Sequence, residues 1–127
     1  MLVEDDANIR DALGQLLRVE GYSVLAASNG REGLDLLARL PERPSLILLD
    51  LMMPHVDGWE FLELLGRNRT MAGIPVIVVS AYINRAKLLS AATLGEKPIC
   101  FLKKPLDFKR LLEMVRRYSQ PDQAGAC

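Results

Sequence analysis

Residues 46–50 read LILLD, so that four consecutive aliphatic residues, Leu46 to Leu49, directly precede an aspartate, Asp50. An apolar run without polar alternation is typical of a strand buried on both faces, as central strands of parallel sheets are. A carboxylate at the end of such a strand would be costly to bury without a partner. The stretch therefore predicts a central parallel strand with a functional carboxylate at its carboxyl end.

Three other apolar runs also end in residues that carry chemistry. They cover residues 1–3, 76–79 and 99–102, and they stop at Glu4-Asp5-Asp6, at Ser80 and at Lys103-Lys104, respectively. Open α/β sheets bind ligands at the carboxyl ends of their strands, so we expect these side chains to share one crevice with Asp50. Carboxylates, a hydroxyl and an amine in one crevice outline a site for a divalent cation and a phosphoryl group.

Segments of helical period separate the apolar runs. Helices are predicted over residues 7–20, 31–40, 58–67 and 84–94, a short second strand over 22–27, and a last helix from the capping residue Asp107 to residue 118. Five βα units predict an α/β fold, a doubly wound (βα)5 three-layer sandwich with a parallel sheet. We expect one domain over 1–118, followed by a flexible C-terminal tail over 119–127.

Composition bounds the function classes. The chain has 127 residues, half of them hydrophobic, and this length favours one domain. Its net charge is zero, which argues against direct nucleic-acid binding. No apolar stretch approaches the roughly 20 residues that span a bilayer, so we expect a cytoplasmic protein without a membrane partner. Acidic residues dominate the first two thirds of the chain and basic residues the last third. The basic part is either a partner surface or an ordinary solvated surface.

Four strings of the sequence together point to a family. They are VEDD at residues 3–6, LILLDLMMPHVDGWE at 46–60, VIVVSA at 76–81 and FLKKP at 101–105. In this order, each at the end of a predicted strand, they closely resemble the receiver domain of two-component response regulators, over residues 1 to about 118. The resemblance implies a flavodoxin-like (βα)5 fold with the parallel strand order 2-1-3-4-5. It also implies a bacterial phosphorelay protein that is not an enzyme in the usual sense, since it catalyses only its own Mg²⁺-dependent phosphorylation and dephosphorylation.

The resemblance also implies the acidic part of the site. Asp50 matches the phosphoacceptor, a carboxylate nucleophile that takes a phosphoryl group from a histidine kinase or a phosphotransfer protein. Glu4 and Asp5 match the acidic pair that holds Mg²⁺ together with Asp50 and the backbone carbonyl of Met52.

Ser80 and Lys104 match the hydroxyl and the ammonium that bind phosphoryl oxygens in the family. Lys104 is chosen over Lys103 because it directly precedes Pro105, as in the family, where this peptide bond is cis, and because side chains alternate along a strand. Phe101 matches the switch aromatic, which turns inward as Ser80 moves towards the phosphoryl group. The resemblance implies that this reshapes a face made by the fourth predicted helix, the fifth strand and the last helix, for an unidentified effector protein. It also allows a phosphorylation-dependent homodimer.

Several alternative interpretations compete with this assignment. Acids at residues 4–6 could simply cap the first helix, which we expect of Asp6. A phosphatase of the haloacid dehalogenase type needs a second aspartate two residues after Asp50, where Met52 stands. A flavodoxin-like electron carrier needs a phosphate-binding loop rich in Ser, Thr and Gly after the first strand, where residues 6–8 read DAN. His55 is interpreted as an exposed loop residue. A receiver-like interaction module that is never phosphorylated stays open.

Overall fold

The computed structural model describes residues 1–51, 58–81 and 99–119. Five strands and four helices lie within these residues: β1 (Leu2–Val3), α1 (Ala7–Val19), β2 (Ala26–Ala27), α2 (Gly30–Arg39), β3 (Ile47–Asp50), α3 (Gly58–Arg67), β4 (Val76–Ser80), β5 (Ile99–Lys103) and α4 (Phe108–Tyr118). The helix predicted over 84–94 and most of the predicted tail lie outside the described residues, so α4 here is the last predicted helix.

The strands form one parallel sheet in the order β2-β1-β3-β4-β5, which confirms the predicted fold class. The register pairs Val3 with Leu49 and Asp50 with Val79. Because neighbouring strands end at matching positions, the residues that follow β1, β3 and β4 meet at one edge of the sheet. On the far side of β4, Ser80 pairs with Lys103 of β5.

Alternating side chains of the sheet fill two cores, one on each face. On one face, Val3, Leu49 and Val78 pack with α2 and α3 through Leu37 and Phe61. The other core contains the intervening strand residues and the buried sides of α1 and α4, in particular Leu2, Leu48, Ile77, Leu13, Leu17, Leu111 and Val115. Burial on both faces explains why β3 and β4 are continuous apolar runs. The three predicted layers are thereby confirmed.

Side chains placed at the helix starts fix the local structure near the sheet edge. The carboxylate of Asp6 accepts hydrogen bonds from the amides of Asn8 and Ile9, and Asp107 caps α4 in the same way, as predicted.

After α1 the chain turns at Gly21, whose φ of 95° lies in the left-handed region that glycine adopts readily. None of the helices in the described part of the chain has the length and apolar character needed to cross a bilayer.

The second strand is shorter than predicted. The prediction covered residues 22–27, but only Ala26 and Ala27 form β2. β1 contributes just Leu2 and Val3 to the ladder, so only two residues of the neighbouring segment find strand partners. The amide of Leu2 still donates to the carbonyl of Leu25 at 2.8 Å, which aligns the segment before the ladder begins.

Candidate functional site

Three carboxylates meet at the carboxyl edge of the sheet. Glu4 and Asp5 follow β1, Asp50 ends β3, and one oxygen from each lies within 4.8 Å of the others. Glu4 and Asp50 are buried, with 3% and 4% of their surfaces exposed, whereas Asp5 is exposed on the rim. Several carboxylate oxygens at this spacing are suitable ligands for a hard divalent cation. Met52, whose carbonyl is the further predicted ligand, lies outside the described residues, as does His55.

A lysine faces the two buried carboxylates. The Lys104 Nζ lies 3.8 Å from a Glu4 carboxylate oxygen and 3.7 Å from one of Asp50, and 26% of the Lys104 side chain is exposed. Lys103, by contrast, is exposed. The peptide bond between Lys104 and Pro105 is cis. The Lys104 amide donates to the Ser80 carbonyl at 2.9 Å, which ties the segment after β5 to the end of β4.

The hydroxyl residue lies on β4, the strand next to that of Asp50, and the aromatic residue lies one strand further away, on β5. Ser80 is fully buried at the end of β4, one position beyond Val79, the strand partner of Asp50. Phe101 is half-buried on β5 and borders a groove of about 220 Å³ that side chains of α4 also line, among them Met114 and Tyr118. The fold therefore brings Glu4, Asp5, Asp50 and Lys104 into one cluster, and it sets Ser80 at the same sheet edge.

The electrostatics of the cluster are uneven. Burial, followed by the charge of Asp50 and a smaller contribution from Asp5, raises the pKa of the Glu4 carboxyl from 4.5 to about 7. The Lys104 ammonium and the Asp6 amide oppose this rise, the latter through a hydrogen bond of 3.3 Å to Glu4 Oε1. A carboxyl that titrates near neutral pH because of burial and neighbouring charges is typical of functional sites. A bound cation would relieve the repulsion between these carboxylates.

Two residues near the cluster have contacts that the sequence analysis did not identify. The guanidinium of Arg10, on α1, donates from Nη1 to the carbonyl of Glu4 at 2.9 Å and to that of Asp5 at 3.4 Å. Gly58, which the sequence indicates only as the first residue of a predicted helix, packs closely on the end of β3, and its amide donates to Leu51 O at 3.0 Å. For Arg10, the available signal is its place on the first turn of the helix after the acidic pair.

Comparisons with known proteins give one consistent family. The family model described as the response regulator receiver domain matches residues 1–116. The response regulator MprA of Mycolicibacterium vanbaalenii is 34% identical over 98% of this chain, and the alignment covers 53% of MprA. The chain thus spans about half the length of the MprA proteins it matches. Sporulation initiation phosphotransferase F of Bacillus subtilis is 32% identical, with 93% of this chain and 90% of that protein covered.

Solved structures agree with the sequence relatives. The chemotaxis protein CheY4 of Vibrio cholerae superposes with a TM-score of 0.80 at 25% identity and covers 92% of this chain and 94% of its own. The receiver domain of the hybrid histidine kinase CckA superposes with a TM-score of 0.71 at 31% identity, covering 94% of this chain and 96% of its own. The likeness extends over nearly the whole fold.

Proposed function

Because this chain belongs to the response regulator receiver domain family, we propose that Asp50 accepts a phosphoryl group from a histidine kinase or a phosphotransfer protein in a two-component system or phosphorelay. The observation that carries the proposal is the placement of the Lys104 Nζ, 3.7 Å from Asp50 and 3.8 Å from Glu4. An ammonium held beside a strand-end carboxylate is positioned to bind an oxygen of a group attached to that carboxylate.

The chemical step is an in-line displacement at phosphorus. An Asp50 carboxylate oxygen attacks the phosphorus of a phosphohistidine whose other ring nitrogen is protonated, a P–O bond forms while the P–N bond breaks, and the imidazole leaves as a neutral ring with the electron pair. The product is an aspartyl phosphate. Catalysis of such a transfer consists mainly of positioning and of stabilising charge on the equatorial oxygens. We assign these roles to the Lys104 ammonium and the Ser80 hydroxyl. The reactions that we assign to the domain are its own phosphorylation and dephosphorylation only.

Mg²⁺ is the cofactor that the receiver family generally binds, and the donors of this chain fit it. Glu4, Asp5 and Asp50 would hold the ion with carboxylate oxygens, and we assign a further ligand to the carbonyl of Met52. When bound, the ion neutralises negative charge on the phosphoryl oxygens and the carboxylates. The raised pKa of Glu4, caused first by burial and then by Asp50, is the electrostatic observation that supports cation binding here.

Output follows from the charge that the phosphoryl group adds. It brings about −1.5 to −2 charges, which the Ser80 hydroxyl and the Lys104 ammonium bind by hydrogen bonds worth roughly 1.5–3 kcal/mol each. Such bonds shift a conformational equilibrium in part, and partner binding completes the shift. We assign the response to Phe101 and to the face formed by β5, α4 and the segment predicted as a helix over 84–94. Its partner is an unidentified effector protein or a second phosphorylated copy.

Treatment with acetyl phosphate and Mg²⁺, followed by intact mass measurement, tests this function. Wild type should gain one phosphoryl mass and Asp50→Asn should gain none. Asp35→Asn is the matched control, because Asp35 is an exposed aspartate of α2 whose carboxylate lies 3.7 Å from Arg31 instead of in the cluster. A gain in both wild type and Asp50→Asn would place the phosphoryl group elsewhere. No gain in any protein would favour a receiver-like module that is never phosphorylated.

A further inference from the structure

One arginine contacts the backbone of the acidic pair. Arg10 lies half-buried on the first turns of α1, and its Nη1 donates to the carbonyls of Glu4 and Asp5 at 2.9 and 3.4 Å. A single guanidinium nitrogen thus holds two consecutive peptide units at the junction of β1 and α1. These two residues carry two of the three clustered carboxylates.

The two carboxylates differ in how their own side chains are held. Glu4 is buried, and its Oε1 accepts a hydrogen bond from the Asp6 amide at 3.3 Å. The Asp5 side chain is exposed, and its carboxylate accepts no hydrogen bond from the described residues. The direction of the Asp5 carboxylate therefore depends on the conformation of its backbone. Arg10 is the side chain that restrains this backbone from the α1 side.

We propose that Arg10 is a positioning residue for the metal site, which it supports by fixing the peptide units of Glu4 and Asp5. The inference rests on the proposed function, because it presupposes that the acidic pair binds Mg²⁺. Groups that hold metal ligands in place without touching the metal commonly change affinity by 10–100-fold when they are removed. Arg10 contacts only main-chain oxygens of the pair, so it acts on the ligands through the backbone.

A positioning role and a purely electrostatic role of Arg10 predict opposite effects on Mg²⁺ binding when the side chain is removed. A guanidinium close to a cation site repels the cation, so loss of its charge alone would strengthen Mg²⁺ binding. Loss of its hydrogen bonds would instead release the Glu4 and Asp5 backbone and weaken binding. The cationic group beside the carboxylates of Glu4 and Asp50 is the Lys104 ammonium, at 3.8 and 3.7 Å, whereas Arg10 contacts main-chain oxygens. The contacts of Arg10 therefore favour the second outcome.

Calorimetric titration of the whole chain with Mg²⁺ at pH 8 tests the proposal. Arg10→Ala should raise the Kd for Mg²⁺ by about tenfold relative to wild type. Arg10→Lys keeps the charge and can donate to one carbonyl, so its Kd should lie between those two values. The matched control is Arg18→Ala: Arg18 lies two turns further along α1 and donates to the Val24 carbonyl at 3.5 Å, away from the acids. Its Kd should equal that of wild type.

Circular dichroism and thermal unfolding of each variant establish that it is folded at the titration temperature. If Arg10→Ala does not fold, Arg10→Lys carries the test, and a Kd equal to that of wild type overturns the proposal. An equal or tighter Kd for folded Arg10→Ala overturns it as well, while the phosphoacceptor assignment stands. Wild type that binds no Mg²⁺ contradicts the metal site and this inference together.

Discussion

Gly58 packs against the strand end that carries Asp50, at a distance that leaves no space for a side chain. A β-carbon added at Gly58 would lie 2.8 Å from the Asp50 carbonyl oxygen and 2.5 Å from the Leu51 α-carbon. Both opposing atoms belong to the backbone, so they cannot move aside as a flexible side chain can. The start of α3 and the end of β3 therefore hold each other in place, and the Asp50 carboxylate depends on this contact.

Gly58→Ala should destabilise the fold and slow phosphorylation of Asp50. The added methyl group forces α3 away from β3, and overpacking of this kind costs about 1–3 kcal/mol of unfolding free energy. Urea denaturation measures the loss. The control is Gly73→Ala, where the nearest atom to an added β-carbon is the end of the Arg43 side chain at 3.4 Å. That variant should stay within about 0.5 kcal/mol of wild type. Equal stabilities of the two variants would contradict the close contact.

The raised pKa of Glu4 predicts a pH dependence of stability in the metal-free protein. Between the unfolded value of 4.5 and the folded value of about 7, the folded chain holds a proton that the unfolded chain has lost. The unfolding free energy should therefore fall as pH rises through this window, by up to about 3 kcal/mol from Glu4. Glu4→Gln removes the titrating group and retains the acceptor for the Asp6 amide.

Urea denaturation in EDTA at pH 5 and pH 8 checks this sign. The unfolding free energy of wild type, relative to that of Glu4→Gln, should be lower at pH 8 than at pH 5. A difference that stays constant, or that moves in favour of wild type, would show that Glu4 is not held in a charge-disfavouring environment.

Lys104→Ala should change metal binding and phosphorylation in opposite directions. Lys104 competes with a cation for Glu4 and Asp50. Its removal should tighten Mg²⁺ binding by at least about fivefold, since even two unit charges 4 Å apart interact by about 1 kcal/mol in water. Loss of the ammonium should slow phosphorylation by acetyl phosphate by roughly 100-fold at saturating Mg²⁺.

Lys103→Ala is the control for this pair of measurements, because Lys103 is adjacent in sequence and exposed. Its Kd for Mg²⁺ and its rate of phosphorylation should both match those of wild type. Weaker Mg²⁺ binding together with slower phosphorylation in Lys104→Ala would indicate that Lys104 maintains the structure of the site instead of opposing the cation.

Tyr118→Phe should stabilise the protein. Tyr118 is 3% exposed, and its buried hydroxyl has no hydrogen-bond partner among the described residues. Removal of a buried polar atom without a partner recovers its desolvation penalty, about 1 kcal/mol. Thermal unfolding measures the gain, and Tyr22→Phe, at a half-buried tyrosine, should stay within about 0.5 kcal/mol. A destabilised Tyr118→Phe would mean that the hydroxyl has a favourable contact in the native protein.

Much of the fold could be predicted from the sequence because its signals are local. The apolar runs that end at Asp50 and Ser80 indicate strands buried on both faces of a sheet. Asp6 and Asp107 indicate where helices begin. The length of β2 could not be predicted, since it depends on how many residues β1 offers as partners. Strand ends also gather the candidate site residues, because parallel strands place their carboxyl ends at one edge.

Other features of the site depend on three-dimensional contacts that the sequence pattern does not contain. The contact of Gly58 with β3 depends on the distance between two backbone segments. The hydrogen bonds of Arg10 depend on the position of α1 relative to the acidic pair. The pKa of Glu4 follows from burial and from the position of Asp50, two properties of the folded chain. The residues at the strand ends therefore follow from the sequence pattern, whereas the residues that hold them follow from contacts between separate segments of the fold.

Chemical identification of the phosphorylated residue distinguishes Asp50 from every other carboxylate of the chain. Borohydride reduces an aspartyl phosphate to homoserine, which peptide mass spectrometry identifies by position. After treatment with acetyl phosphate, homoserine should appear at position 50 when Mg²⁺ is present and should be lost in EDTA. Homoserine at another position, an equal yield in EDTA, or none under either condition would contradict the account.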